Sequence, residues 1–399
     1  MALADRWLLP DGVKDILPPR ARQIEALRRR LLDLYDSWGY ELVMPPLMEH
    51  LESLLTGVGR DLDLDTFKVT DQVSGHLLGI RADITPQVAR IDAHRMRSQG
   101  ASRLCYCGSV LHTRPANMLA SRNPLQVGAE LYGHAGIDSD VEVIALMLET
   151  LLASGIEAPI SLDLGHVGIF RNLMADAGLS DAQEAEYLEK LQLKALPEIE
   201  VFLNELEADA RLLDRLAELP RLHGGVDVLA RARVLFADAS PAVTEAIDYL
   251  EQLADRVGRR YPQVRLYFDL GELRGYNYHT GIVFAAYAAG FGQAIAKGGR
   301  YDEIGRDFGR ARPATGFSSD LKSLSDLSAS VLEVRGGAIL APAGQDPLLI
   351  ERIGELRAQG ERVIQQLPDV TLANLSSCDR QLLRQEMTGS SRPCKRIFD

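Results

Sequence analysis

Seven short stretches of this chain have strand character, and one long stretch between them has almost none. Residues 77–81, 103–107, 125–132, 159–164, 264–269, 281–287 and 293–297 alternate apolar with polar side chains or are rich in β-branched and aromatic residues. Residues 180–236 instead carry Ala, Leu, Glu, Asp and Arg at helical spacing, the charges reading first as a solvated face. The strand pattern resumes beyond them. They therefore predict a helical insertion that interrupts one domain rather than separating two. Helices fit between the strands at 18–38, 85–97, 138–153 and 241–256. The first opens at Pro18 and Pro19, places Ile24, Leu27, Leu31 and Tyr35 at spacings of three and four, and ends at Gly39. Glu41-Leu42-Val43-Met44 follows as a short extended segment stopped by Pro45-Pro46. Long strands with helices to one side predict an α+β fold with a largely antiparallel sheet.

This core is expected to run over residues 1–325. The pattern relaxes over a linker at 326–336. A small α/β domain is expected at 337–383, with a strand at 338–341, a helix at 345–358 stopped by Gly360, and a strand at 362–364. From about 384 periodicity is lost and a disordered tail is expected.

Composition narrows the function. Among 399 residues, 44 are Lys or Arg and 56 are Asp or Glu, a net charge of −12. A chain that grips a phosphate backbone carries a basic surplus, so nucleic acid is not an expected partner. Cys105 and Cys107 share one face of a strand, while Cys378 and Cys394 stand alone. Eight scattered histidines and no paired ligand spacing predict reduced thiols and no metal site. No stretch of 18 uncharged apolar residues occurs, and the N-terminus lacks the pattern of a signal peptide. A cytoplasmic location is expected. The phosphate-loop, zinc-protease and nucleophile-elbow motifs are absent, and Gly290-Phe291-Gly292-Gln293 reads as a turn between strands.

Three constellations are more polar than a core tolerates. In Arg81-Ala82-Asp83-Ile84-Thr85-Pro86-Gln87, Asp83 is either a helix N-cap or a carboxylate that grips a ligand ammonium. Gln126, Gly128 and Glu130 share one strand face, which is either a solvent face or a floor that leaves room for something to approach. Leu273-Arg274-Gly275-Tyr276-Asn277-Tyr278-His279-Thr280-Gly281 is either a polar clamp or a hairpin with exposed aromatics. Carboxylates, an amide, an arginine and aromatic rings suit a small zwitterion with a polar ring.

These blocks resemble the class II aminoacyl-tRNA synthetase core, and histidyl-tRNA synthetase in particular, over roughly residues 8–325. Pro10 to Pro18 is similar to that enzyme's opening phrase, and Leu42 to Glu49 to motif 1, its dimer-interface strand. Arg81 to Thr85 resembles its Arg-Pro-Glu-x-Thr block, with Asp83 in place of the glutamate. Gln126 to Glu130 resembles its Gln-x-Gly-x-Glu strand, and Arg274 to His279 its histidine-specific loop. Gly298 to Asp302 and Pro313 to Phe317 lead into motif 3. By resemblance, Asp83, Thr85, Gln126, Glu130, Arg274, Tyr278 and His279 form a histidine pocket. Asp83 meets the ammonium, Glu130 the ring and Arg274 the carboxyl group.

The departures point away from adenylation. Where motif 2 reads Phe-Arg-x-Glu, this chain has Leu111-His112-Thr113-Arg114. Where motif 3 reads Gly-Leu-Glu-Arg, it has Asp320-Leu321-Lys322-Ser323. Losing one transition-state donor costs about 10²–10³ in rate, and here two cations that face ATP are replaced. The trimmed C-terminal unit also falls short of an anticodon-binding domain. This combination resembles the ATP phosphoribosyltransferase regulatory subunits of histidine biosynthesis. The resemblance implies a chain that performs no chemistry and needs no cofactor. It implies a homodimer through the motif 1 region, assembled with a short-form catalytic subunit as a hetero-octamer that histidine feedback-inhibits. The alternatives are a working histidyl-tRNA synthetase and a stand-alone histidine-binding protein.

Overall fold

The computed structural model describes residues 7–56, 60–115, 120–273, 275–276, 278–329, 337–368 and 378–383. The chain divides into two compact units, Met1–Ser330 and Val331–Asp399. The strands of the first unit are β1 (Glu41–Leu42), β2 (Met48–His50), β3 (Phe67–Thr70), β4 (Leu77–Ile80), β5 (Ser102–Ser109) and β6 (Leu125–Tyr132). They continue with β7 (Ile160–His166), β8 (His223–Gly224), β9 (Arg265–Asp269), β10 (Ile282–Ala288), β11 (Ala296–Arg300) and β12 (Ala314–Asp320). Nine of these form one sheet in the order β1-β5-β6-β12-β11-β10-β7-β9-β8. Only the β1–β5 and β7–β9 pairs are parallel. Strands β2, β4 and β3 make a separate antiparallel sheet.

Helices cover one face of the large sheet. In Ile137–Ala153, every residue from Val143 to Leu148 is buried. A helix apolar all round must be enclosed, and this one is flanked by Arg20–Ser37 and Pro241–Arg260 as well as by the strands. Tyr35 of the first flanking helix meets Phe317 of β12 edge to face at 6.2 Å. The opposite face is covered at one end by Thr85–Arg90. There Ile84, Val88 and Ala89 pack on Leu104, Tyr106, Tyr132 and Ala314. Beyond it, Leu62, Asp65, Tyr276 and Tyr278 border a cleft over the same face.

The structure moves several expected boundaries. The helix expected over 85–97 is α-helical only to Arg90, then widens to a π-helix over Ile91–Met96 and ends at Arg97 with φ 52°. The widened turn places the Asp92 carboxylate on the buried Arg312 guanidinium at 2.8 and 2.9 Å. The strand expected at 293–297 lies at 296–300. The helical insertion contains Asp181–Gln192, Leu196–Glu205, Ala210–Glu218 and Asp227–Leu235, but also β8, which extends the main sheet by pairing with β9. Asp326 and Leu327, expected in a linker, close the helix Leu321–Leu327. The rest of that linker from 330, and the tail from 384, lie outside the described residues.

The second unit has strands β13 (Ala338–Ala341), β14 (Val363–Gln365) and β15 (Cys378–Gln381), parallel in the order β14-β13-β15. Helix Pro347–Ala358 buries Ile353 and Leu356 against Ile339, Ala341 and Val363. Its N-cap Asp346 accepts from the Leu348 amide at 3.0 Å.

Breaking a buried ion pair strands the remaining charge, at a cost of roughly 3–5 kcal/mol. Asp92→Ala is therefore expected to lower the thermal midpoint by several degrees, as read by circular dichroism. Asp138→Ala removes an exposed partner of Arg256 and is expected to leave the midpoint nearly unchanged.

Candidate ligand-binding site

Residues directly paired across a sheet share a face, so the register fixes what floors the open side. Glu130 lies opposite Leu104 and Gly316, and Gly316 lies opposite Gly299. One step along, Gly128 lies opposite Tyr106 and Ser318, and Ser318 opposite Lys297. Half of the residues in these rows are Gly or Ser, and above them opens a cleft of about 460 Å³.

Glu130 is the deepest polar group of the cleft, 1% exposed. Its Oε1 accepts from the Thr85 hydroxyl at 2.9 Å and the Tyr106 hydroxyl at 3.0 Å, and its Oε2 from the Tyr301 hydroxyl. Burial pushes its carboxyl well above the ordinary carboxylate range. The Thr85 and Tyr106 hydrogen bonds act against that shift and the Asp83 charge adds to it. The two glycines nearby have a steric reason. A Cβ at Gly316 would collide with the Glu130 carboxylate, and one at Gly128 would stand 2.6 Å from the Tyr106 hydroxyl. The room that Gly128 leaves is thus filled by Tyr106 of the same chain rather than by a ligand.

Asp83 sits above this knot at the start of helix Thr85–Arg90. Its Oδ1 accepts from the Thr85 amide at 3.0 Å, but the helix's N-cap is Ile84, so Asp83 stands one residue before the cap rather than in it. The same oxygen accepts from Gln126 Nε2 at 2.8 Å, while Gln126 Oε1 accepts from the Ile84 amide at 2.9 Å. Asp83 lines the cleft and Gln126 does not; the amide acts by holding Asp83. Tyr278 stacks on Tyr301 with centroids 5.0 Å apart. Burial, with the charges of Glu130 and Asp83, raises its phenol well above the usual value. His279 also lines the cleft, its Nδ1 3.2 Å from the Gly275 carbonyl oxygen. Five of the seven expected residues, Asp83, Thr85, Glu130, Tyr278 and His279, therefore meet at one cavity, and Arg274 lies outside the described residues.

The positions expected to face a nucleotide have other duties. His112 Nε2 lies 3.0 Å from the Ala82 carbonyl oxygen. Asp320 caps helix Leu321–Leu327 by accepting from the Lys322 amide at 3.2 Å. It also takes the Leu125 amide at 3.0 Å and the Ser323 hydroxyl at 2.9 Å. The Lys322 ammonium donates to the Asn123 carbonyl. Arg114, exposed, stands 4.0 Å from Asp65. Carboxylates of Asp65, Asp83, Glu130, Asp163 and Glu272 line the cleft, whereas among the described residues Lys297 is its one lysine or arginine.

Residues 12–324 match the family model of histidyl-tRNA synthetase, and residues 336–388 match that of the ATP phosphoribosyltransferase subunit HisZ C-terminal domain. An ATP phosphoribosyltransferase regulatory subunit of Thioalkalivibrio sulfidiphilus is 58% identical over 385 residues, 96% of this chain and 97% of that one. The chain belongs to the ATP phosphoribosyltransferase regulatory subunit family. A family member from Alkalilimnicola ehrlichii is 54% identical over 96% of each chain. The crystal structure of an ATP phosphoribosyltransferase regulatory subunit/histidyl-tRNA synthetase from Bacillus halodurans superposes with a TM-score of 0.81 at 26% identity, covering 93% of this chain and 96% of that one. Histidyl-tRNA synthetase from Nostoc sp. PCC 7120 shares the fold, with a TM-score of 0.76 at 18% identity over 94% and 91% of the two chains.

Within this regulatory-subunit fold, sequence reasoning missed the tyrosines that complete the knot. Tyr106 was legible only as the residue between two cysteines, although its strand parity with Gly128 and Glu130 would have placed it. Tyr301 lay inside a quoted block whose role was assigned to motif 3.

A carboxyl whose pKa is raised by folding stabilises the fold fully below its ordinary range, and that stabilisation is lost as pH rises. Each pH unit crossed before the folded-state pKa costs at most about 1.4 kcal/mol. Glu130→Gln keeps an acceptor but cannot ionise. Between pH 5 and pH 8.5, the thermal midpoint of the wild type is expected to fall relative to that of the variant.

Proposed function

We propose that this chain is the non-catalytic subunit of a cytoplasmic ATP phosphoribosyltransferase complex and that its cleft binds L-histidine. In this reading Asp83 receives the ammonium, Glu130 and Tyr278 face the ring, and Arg274 meets the carboxyl group. The observation that carries it is the division of labour in the cleft. Asp83, Thr85 and Glu130 remain grouped at the cleft, while His112 meets a carbonyl and Ser323 donates to the helix cap Asp320 where a synthetase needs arginines.

The charge balance supports the same reading. A triphosphate needs cations as pyrophosphate leaves, and, with the raised carboxyl of Glu130 set aside, the described cleft residues still offer four carboxylates against one lysine. An ammonium is the better match for such a lining. The reading calls for no metal or cofactor.

The partner is a short-form catalytic subunit that joins ATP to phosphoribosyl pyrophosphate, in a hetero-octamer that this chain activates and through which histidine inhibits. The names carried by the curated relatives support the partnership. Two copies of this chain meet through the motif 1 region, a reading supported by exposed Leu42, Met44, Leu47 and Met48 at and beyond the edge strand β1.

Mixing this chain with a short-form catalytic subunit is expected to switch on phosphoribosyl-ATP formation, and added histidine to suppress it. Histidine-dependent ATP–pyrophosphate exchange by this chain alone is expected to be undetectable; measurable exchange would establish the synthetase reading. In calorimetric titration with histidine, Asp83→Ala and Glu130→Ala are each expected to weaken affinity by roughly tenfold or more, the scale of a hydrogen bond to a charged group. Unchanged affinity in both removes the cleft as the histidine site.

A further inference from the structure

Tyr278 and His279 precede the point at which the sheet takes hold of the chain. The Thr280 amide donates to the Arg300 carbonyl of β11 at 2.7 Å and strand β10 begins at Ile282, whereas the amides of Tyr276, Tyr278 and His279 donate to carbonyls of Leu273 and Gly275, at 2.8–2.9 Å. Gly275 turns the chain at φ 68°, where a Cβ would stand 2.7 Å from the His279 ring. Turn hydrogen bonds alone leave a surface segment free to open locally. This one is fastened from outside.

Tyr276 is the fastener. Its ring is 9% exposed, edge to face with Phe170 at 5.0 Å and under the Arg171 guanidinium at 5.3 Å. Its hydroxyl donates to Glu184 Oε1 at 2.7 Å, on insertion helix Asp181–Gln192. Gln192 of that helix donates to the Leu273 carbonyl at 3.3 Å, and Tyr187 stacks on Phe170 at 5.9 Å. Arg171, on helix Val167–Ala177, donates to the His279 carbonyl at 3.0 Å. Burial, reinforced by the Glu184 hydrogen bond, pushes the Tyr276 phenol up to about 12, so it remains a donor at neutral pH.

We infer that the helical insertion is an arm of the ligand site, in which Glu184 is a positioning residue that acts through Tyr276, beside Arg171 on the preceding helix, to hold Tyr278 and His279 against the cleft. The inference rests on the reading of that cleft as an amino-acid site. A hydrogen bond to a carboxylate is stronger than a neutral one, and the Tyr276–Glu184 bond joins two segments 92 residues apart. Losing it leaves the ring packed but lets the segment fray.

Tyr276→Phe and Glu184→Ala are each expected to weaken histidine binding about tenfold in calorimetry, while Glu184→Gln, which keeps the acceptor, stays near wild type. The double variant Tyr276→Phe/Glu184→Ala is expected to bind no more weakly than the weaker single, because both remove one bond. Wild-type affinity in both singles, or fully additive losses, overturns the inference. Hydrogen exchange at the Tyr278 and His279 amides supplies a readout that needs no ligand. Faster exchange in Tyr276→Phe supports the anchoring, and unchanged exchange in both singles overturns it. If the wild type binds no histidine, the proposed ligand fails, and the exchange result alone decides the anchoring.

Discussion

A carboxylate buried on the open face of a sheet is the constraint around which this cleft is arranged. Glu130 has lost its water, and an ionisable group in that position is tolerated only when hydrogen bonds replace it. The three hydroxyls that do so come from Thr85 at a helix start, Tyr106 on a neighbouring strand and Tyr301 just beyond β11. Each donor brings its own segment to the same point. The helix Thr85–Arg90, the pair β5–β6 and the loop after β11 thus have their positions fixed together, and Gly316 and Gly128 are the spaces that let them converge. Tyr278 then stacks on Tyr301 and inherits its placement.

The end of β12, paired with Gln126, shows what happens when a charge has no ligand to meet. Asp320 satisfies three donors of its own chain, and Lys322 is spent on a carbonyl. Such groups add to stability through helix capping and loop closure. They are then poorly placed to turn toward a phosphate, since doing so would orphan backbone amides. Structural satisfaction and phosphate binding compete for the same side chains here, and the geometry records which of the two prevails.

Most of the strand positions around the site were legible because β5, β6, β7 and β10 carry alternating or β-branched runs whose parity survives in the fold. Strand β12 was not, since Ala314-Thr315-Gly316-Phe317-Ser318 is dominated by small residues and offers no apolar alternation. Those small residues are what the cleft requires, so the signal is weakest where the site needs room. The π-turn at Ile91–Met96 was invisible for a different reason. Its cause is Arg312, more than 200 residues away in sequence, and no local pattern encodes that ion pair. For the site itself, residue types were legible and their tasks only partly so: Asp83 proved to line the cleft one residue before the helix cap, while Gln126 proved to be a support.

A subunit that performs no chemistry can influence a partner only if its ligand distinguishes two arrangements of the chain. The cleft has the parts for such a distinction in unequal measure. Its floor is rigid, because moving Glu130 would break bonds from three segments at once. Its rim at Tyr276, Tyr278 and His279 is held by turns, by the Tyr278–Tyr301 stack, and by Tyr276 and Arg171 contacts that lead outward to helices Val167–Ala177 and Asp181–Gln192. A ligand pressed between a fixed floor and an anchored rim exchanges free energy with the rim. On the proposed reading, regulation would therefore leave the cleft through the helical insertion rather than through the sheet, because the insertion is the part of the surroundings whose contacts can change without exposing a buried carboxylate.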